Sequence, residues 1–262
     1  MEKSRQLVCM LCQKPVPFDL TWQQLFSLQP IEEDLLCKDC QQLFSLYGNY
    51  QKKCCACGGK IDASNAFCKS YTLENSDEKY CLDCFNWRKK YPLRLIKHYA
   101  LFEYNETFKE WIYRYKYQGD CRLAEVMKNP LKKIYKKYSN YLWVVLPSSQ
   151  ESMEERLFHP TAYLLEIANI PYRCPFIYVG NGLRQAEKKR SERLNFTHPF
   201  TWTKVDIRCL KEKAGIIIFD DVYTTGSTIL QAKLEAGAKC HLIKAGEKEM
   251  ISFSLARKLM IT

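Results

Sequence analysis

No uninterrupted apolar stretch of the sequence comes near the roughly 18 residues that a membrane-spanning helix needs, and residues 1–11 contain no signal-peptide core. The expectation is a cytoplasmic protein without a membrane span. Glycine and proline number only ten each, which excludes a collagen-like or low-complexity chain. Histidine is scarcer. His98, His159, His198 and His241 occur singly and read as surface or core residues, not as a catalytic group. Cysteine is sparse beyond Cys84, where Cys121, Cys174, Cys209 and Cys240 show no ligand spacing and read as small buried hydrophobes.

What is present is a globular composition, 47% apolar and 26% charged over 262 residues, enough for a full-size domain plus a small one. Forty Lys and Arg against 29 Asp and Glu give a net charge of +11. That excess suits a polyanionic partner.

Of the 14 cysteines, ten lie between Cys9 and Cys84. Eight of them form four C-x-x-C pairs: Cys9/Cys12, Cys37/Cys40, Cys54/Cys57 and Cys81/Cys84. Two thiolates flanking two residues on a tight knuckle point at one ion, and two knuckles complete the tetrahedral four-cysteine shell of structural zinc. Paired in order, they predict two Zn²⁺ sites. A redox C-x-x-C would sit at a strand-to-helix junction, which the pattern does not suggest. A complete four-cysteine shell also leaves no position for a reactive water, so the ions are structural. Cys54, not Cys55, has the two-residue spacing to Cys57, and Cys68 is a spare thiol. Each Zn²⁺ centre with four thiolates carries a net −2, so two of them lower +11 to +7. The chain stays basic.

The composition divides the chain into a cysteine-rich region, 1–90, and an α/β region, 91–262. In the first, 22–28 and 43–47 have near-helical apolar spacing, and 88–98 is a basic connector. In the second, 107–117 reads as a helix ending near Gly119, because Phe108, Trp111, Ile112 and Tyr115 share a face. Residues 142–146 read as a strand closed by Pro147, 161–168 as a helix, and 176–179 and 216–219 as strands. The run 229–236 reads as a helix stopped at Gly237, and 240–243 as a further strand. Alternating strands and helices predict a parallel α/β sheet with helices on both faces.

The most informative stretch is Phe219-Asp220-Asp221-Val222-Tyr223-Thr224-Thr225-Gly226-Ser227-Thr228. A buried strand delivers two carboxylates to a hydroxyl- and Gly-rich turn that opens a helix. Hydroxyls and free backbone N–H groups at a helix N-terminus cradle a phosphate, and the acids beside them accept hydrogen bonds from sugar hydroxyls. An isolated Thr-Gly-Ser would be simple cap and turn chemistry. The ordered set describes a grip for a ribose 5-phosphate.

This stretch is similar to the loop by which type I phosphoribosyltransferases bind 5-phosphoribosyl 1-pyrophosphate (PRPP). With the paired four-cysteine region in front of it, most of the chain resembles the ComF/GntX family. Arg114-Tyr115-Lys116-Tyr117-Gln118-Gly119-Asp120, Val144-Val145-Leu146-Pro147-Ser148 and the basic segment from Arg184-Gln185 to Glu192-Arg193 are similar to that family's elements. The resemblance implies a type I phosphoribosyltransferase fold. Asp220 and Asp221 would contact the ribose hydroxyls, and Thr224, Thr225, Gly226, Ser227 and Thr228 would wrap the 5-phosphate. Pro147 and Ser148 would lie on the pyrophosphate side, and Mg²⁺ would bridge pyrophosphate and ribose oxygens. Lys116, Arg184, Lys188, Lys189, Arg190 and Arg193 are cations available to stabilise a leaving pyrophosphate, with Lys116 and Arg193 the candidates for catalysis; a solvated basic face is the other reading of each. Two departures stand out. Arg156-Leu157-Phe158-His159-Pro160 replaces the family's Arg-Gly-Phe-Asn-Gln element, and the run from Thr228 to Gly237 is about one turn short, which predicts a truncated helix.

The family places such a protein in natural transformation, handling single-stranded DNA with a ComFA-type helicase. Tyrosines interleaved with lysines at 113–117 and 132–138 would track a strand by charge and stacking. The same residues also fit amphipathic helices with tyrosines inward and lysines in water. The alternative function is a metabolic phosphoribosyltransferase of salvage or amidotransfer type, unrelated to DNA.

Overall fold

The computed structural model describes residues 7–17, 22, 26, 35–48, 50–62, 69–74, 77–91, 95–179, 200–203, 210–244 and 246–258. Apart from Trp22 and Phe26, the expected helix 22–28 lies outside the described residues, as do Arg184, Lys188, Lys189, Arg190, Arg193, Cys68, Cys209 and His198.

In chain order the elements are α1 (Lys38–Leu43), α2 (Leu82–Lys90), β1 (Lys97–Glu103), α3 (Glu106–Tyr117), a 3-10 segment (Cys121–Met127), α4 (Lys128–Tyr138), β2 (Tyr141–Val145), α5 (Gln150–Arg156), α6 (Pro160–Ile167), β3 (Tyr172–Arg173), β4 (Phe176–Tyr178), β5 (Phe200–Trp202), β6 (Gly215–Tyr223), α7 (Ser227–Lys239), α8 (His241–Lys244) and β7 (Glu249–Arg257). Five strands form one sheet in the order β1-β7-β6-β2-β3, and every pairing in it is parallel. Its strands are apolar on both faces. Trp143, Val145, Ile217, Phe219, Ile251 and Phe253 belong to one core, and Leu142, Val144, Ile216, Ile218 and Met250 to the other. Successive side chains point to opposite faces, so the α/β sheet is buried on both sides, as the alternating pattern predicts.

Helix α3 closes the first core. Asn105 caps it by accepting from the Phe108 N–H at 2.9 Å, and Phe108, Trp111, Ile112 and Tyr115 form its buried stripe. The cysteine-rich region packs into both cores. Cys9, Val16, Leu36 and Phe44 join the first, and Cys54, Cys57, Ile61 and Tyr80 join the second. It also covers the outer edge of β1: the Tyr47 N–H bonds the Leu101 carbonyl at 2.7 Å, and the His98 N–H bonds the Ala56 carbonyl at 2.9 Å.

Several local expectations are corrected. The helix expected at 43–47 is not formed: α1 ends at Leu43, and residues 45–47 instead hydrogen-bond along β1, with Leu46 bridged to Phe102. The strand expected at 176–179 is present as β4, though it pairs antiparallel with β5 in a separate two-stranded ribbon. Helix α7 runs through Gly237 to Lys239 over 13 residues and is not truncated. Space around Gly237 is open, so nothing in the packing stops the helix there. The run 240–243 is the entry into α8, not a strand. The basic connector 88–98 is likewise divided between the end of α2 and the start of β1.

Candidate functional site

The four cysteine pairs converge as their spacing predicts. Cys9, Cys12, Cys37 and Cys40 form one group and Cys54, Cys57, Cys81 and Cys84 the other, the sulfurs of each lying within 4.8 Å of one another. Cys12 and Cys37 are 3.6 Å apart and Cys57 and Cys81 3.5 Å, close to the roughly 3.8 Å edge of a tetrahedron with Zn–S bonds of about 2.3 Å. Cys37 and Cys81 immediately precede α1 and α2, so the second knuckle of each set opens a helix.

The second group has a matching counter-charge. Arg257, 6% exposed, donates to the Cys57 carbonyl at 2.8 Å and to the Cys57 sulfur at 3.0 Å. A buried guanidinium needs an anion beside it, and a Zn²⁺ centre with four thiolates, at −2, supplies one. Both groups therefore fit structural zinc. Of the remaining cysteines, Cys240 is buried, but Cys121 is half-buried and Cys174 exposed, against the expectation for small core residues.

The acid pair lies within β6, whose pairing with β7 carries the strand past Asp220 to Tyr223. Gly226 then takes the left-handed conformation, φ +75°, and α7 starts at Ser227. A Cβ there would meet the Tyr223 hydroxyl at 2.1 Å, so only glycine fits. Thr225 and Ser227 are buried with hydroxyls 3.3 Å apart, while Thr224, Gly226 and Thr228 are partly open. Pro147 and Ser148 follow β2, whose Val145 pairs with Phe219, so their loop starts beside the acids.

Lys116, at the end of α3, donates to Asp221 Oδ2. Burial disfavours the lysine's charge, but Asp221 holds its pKa above the ordinary value. Burial, then the charge of Asp221, pushes Asp220 up to about 7. The Asp221 N–H bonds Asp220 Oδ1 at 2.9 Å. Two carboxylates, one of them paired with a lysine, and an open helix start beyond are suited to a divalent ion and a sugar phosphate.

Trp87, which sequence reasoning missed, and Arg114 and Asp120, to which it assigned no individual role, support this site. The Trp87 indole N–H donates to the Thr225 carbonyl at 3.0 Å. Arg114 donates to the Met10 and Leu11 carbonyls at 3.0 and 3.2 Å, fastening the first cysteine knuckle to the helix that carries Lys116. Asp120 pairs with Arg122 and Arg114, and Arg122 first among them lowers its pKa.

Two single histidines also have structural duties. His159, in the divergent 156–160 segment, accepts from the Ala162 N–H at Nδ1, so its Nε2–H donates to the Leu146 carbonyl at 3.0 Å, just before Pro147. Burial lowers its pKa, which keeps it neutral for this cap. His98 is buried between Ser252 and Ser254 at 3.0 and 3.1 Å and stacks on Tyr223 at 3.9 Å. Burial, then the charge of Arg257, keeps it neutral. Because the Ser254 hydroxyl donates to Ala256 O, His98 Nε2 is the donor to Ser254 and Nδ1 the acceptor from Ser252. The only local signals for these roles were a buried-strand context for His98 and the position of His159 before Pro160.

The basic stretches do not share a face. Lys116 is turned inward onto Asp221, while α4 runs back along the sheet and delivers Lys136 and Lys137 next to the start of β2, at the opposite end from Asp220 and Asp221. Tyr115 is buried, its hydroxyl donating to the Pro160 carbonyl at 2.6 Å. Tyr113 and Tyr117 are exposed and stacked, with the Arg156 guanidinium 5.3 Å from the Tyr117 ring.

A parallel α/β sheet with an acid pair leading into an open helix start, buttressed by two four-cysteine clusters, defines the class of protein. A scan against protein-family models gives no match. Among curated proteins, competence protein ComFC of Bacillus subtilis (strain 168) is 30% identical over 258 residues, covering 96% of this chain and 95% of that protein. Competence protein ComFC of Streptococcus pneumoniae (strain ATCC BAA-255 / R6) is 30% identical over 249 residues, covering 95% and 99%. The chain belongs to the ComFC family. No described helix is long and apolar enough to cross a membrane.

Proposed function

We propose that this protein acts in DNA uptake during natural transformation through a PRPP-binding, phosphoribosyltransferase-like region, 91–262, preceded by a double zinc-binding region, 1–90. The observation that carries the reading is the arrangement at the end of β6. Asp220 and Asp221 adjoin a glycine-turned helix start rich in hydroxyls, with Lys116 already seated on Asp221.

On this reading the helix start and the hydroxyls of Thr224, Thr225, Ser227 and Thr228 take the 5-phosphate, and the acid pair takes the ribose hydroxyls. Mg²⁺, held by the carboxylates and the pyrophosphate, would neutralise the leaving group. Lys116 would exchange its carboxylate partner for a pyrophosphate oxygen, with Arg193 as a second cation. The relatives named as competence proteins support the cellular role, and the net charge of +11 supports a polyanionic partner. The proposed site of action is the cytoplasm, with single-stranded DNA and a ComFA-type helicase. Because Lys136 and Lys137 lie at the far end of the sheet, DNA following them would bypass the phosphoribosyl pocket.

Titration calorimetry with PRPP, with and without Mg²⁺, tests the ligand. Micromolar binding that requires Mg²⁺ and disappears in Asp220→Ala/Asp221→Ala is expected, and unchanged affinity in that variant removes the phosphoribosyl reading. Gene deletion tests the role. Loss of transformation without a nutritional defect is expected, whereas a purine or pyrimidine requirement with normal transformation favours the metabolic alternative.

A further inference from the structure

The second cysteine cluster reaches the phosphate loop by two separate routes that end on the same peptide unit. The first is α2. Cys81 precedes it, Cys84 lies in its first turn, and Trp87, three residues on and 4% exposed, donates its indole N–H to the Thr225 carbonyl at 3.0 Å. The second runs through the end of β7. Arg257 donates to the Cys57 carbonyl and sulfur and lies 4.7 Å from the Tyr223 ring centroid. The Tyr223 hydroxyl in turn abuts Gly226 so closely that no Cβ is tolerated there. Gly59 gives Arg257 its room, since a Cβ at that position would meet the guanidinium at 2.6 Å.

The peptide between Thr225 and Gly226 is thus held at its carbonyl by Trp87 and packed at its glycine by Tyr223. A trans peptide points its C=O and N–H in opposite directions. Fixing the Thr225 carbonyl toward α2 therefore fixes the Gly226 N–H away from it, at the helix start where an anion would be received. The first cluster makes no described contact with this peptide; its path leads from Met10 and Leu11 through Arg114, α3 and Lys116 to Asp221, short of the phosphate loop.

We propose that Trp87 is a positioning residue for the phosphate loop, and that through Trp87 and Arg257 the second cysteine cluster, but not the first, is coupled to occupancy of that loop. The coupling rests on the reading of the loop as a ribose 5-phosphate grip. Linkage is reciprocal. A folded, metal-loaded second cluster sharpens phosphate binding, and bound phosphate protects the cluster.

The test uses the full-length chain and ribose 5-phosphate as probe. Mass spectrometry follows alkylation of each cysteine in the presence of a chelator. Ribose 5-phosphate is expected to slow labelling of Cys54, Cys57, Cys81 and Cys84 several-fold, leaving Cys9, Cys12, Cys37 and Cys40 unchanged. Trp87→Phe keeps an aromatic ring and removes the donor. It should retain the wild-type zinc content, weaken ribose 5-phosphate about tenfold, on the order of one lost hydrogen bond, and reduce the differential protection to what the Arg257 route alone carries. Equal protection of both clusters, or unchanged affinity in Trp87→Phe, overturns the coupling. If Trp87→Phe loses its zinc, the wild-type labelling pattern decides alone. If the wild type binds neither ribose 5-phosphate nor PRPP, the ligand reading fails, and positioning is read from hydrogen exchange at amides 224–228. Equal protection there in wild type and Trp87→Phe overturns it, and faster exchange in the variant upholds it.

Discussion

Replacing Lys116 with methionine isolates the contact at the centre of the site. Methionine keeps an unbranched apolar stem along α3 but leaves Asp221 buried without its cation. Two unit charges about 4 Å apart attract by about 4 kcal/mol at an effective dielectric near 20. Removing one partner of a buried pair costs about 3–5 kcal/mol. The lysine side chain retains 22% exposure, so water recovers part of this, and the expected loss at pH 7.5 is about 2–4 kcal/mol. The cost has a ceiling set by pH, because the carboxyl can take up a proton instead. An aspartate in the unfolded chain titrates near 3.9, so at pH 5 protonation limits the loss to about 1.5 kcal/mol. Urea denaturation followed by circular dichroism at the two pH values measures both. Adding Asp221→Asn to Lys116→Met should restore more than half of the loss at pH 7.5. A penalty below about 1 kcal/mol at pH 7.5, or one that does not shrink at pH 5, would refute the buried-pair argument.

Further outcomes follow from the same strand, the loop after it and α7. Asp220, raised to about 7 by burial and then by Asp221, holds its proton more tightly folded than unfolded, so its ionisation costs stability as pH rises from about 4 through about 7. Asp220→Asn should therefore raise the melting temperature at pH 8 and leave it unchanged at pH 4, while wild-type affinity for Mg²⁺–PRPP should fall below pH 7. Gly226→Ala, forced to positive φ against the Tyr223 hydroxyl, should cost about 2–4 kcal/mol in thermal unfolding. Gly237→Ala, in open space within α7, should gain about 0.5–1 kcal/mol.

The cysteine clusters, the acid pair and the phosphate loop were legible because each is a short, local pattern. C-x-x-C spacing, a buried strand, and a Thr/Gly/Ser helix start can be read without knowing what lies across the fold. The parts that join them were not. Trp87 and Thr225 are 138 residues apart, Cys57 and Arg257 200, and His98 and Ser252 154. No window of sequence contains both partners. Gly237 misled for a different reason, because a glycine in open space lowers helix propensity by only about 1 kcal/mol and the apolar face of α7 outweighs it. The run 240–243 misled because four residues carry too little periodicity to separate strand from helix.

The strand order has a consequence for how the chain assembles. Strand β1 comes early in the sequence, but its neighbour in the sheet is β7, the last strand described, which lies between β1 and β6. On the ribosome, β1 must wait until some 150 further residues have been made before it has a partner, since its register runs from Lys97 against Ile251. The cysteine knuckles are complete in sequence by Cys84, but the second cluster receives Arg257 only when β7 has been made. Contacts of such long sequence separation are slow to form. The sheet can therefore close only at the end, when β7 enters between β1 and β6.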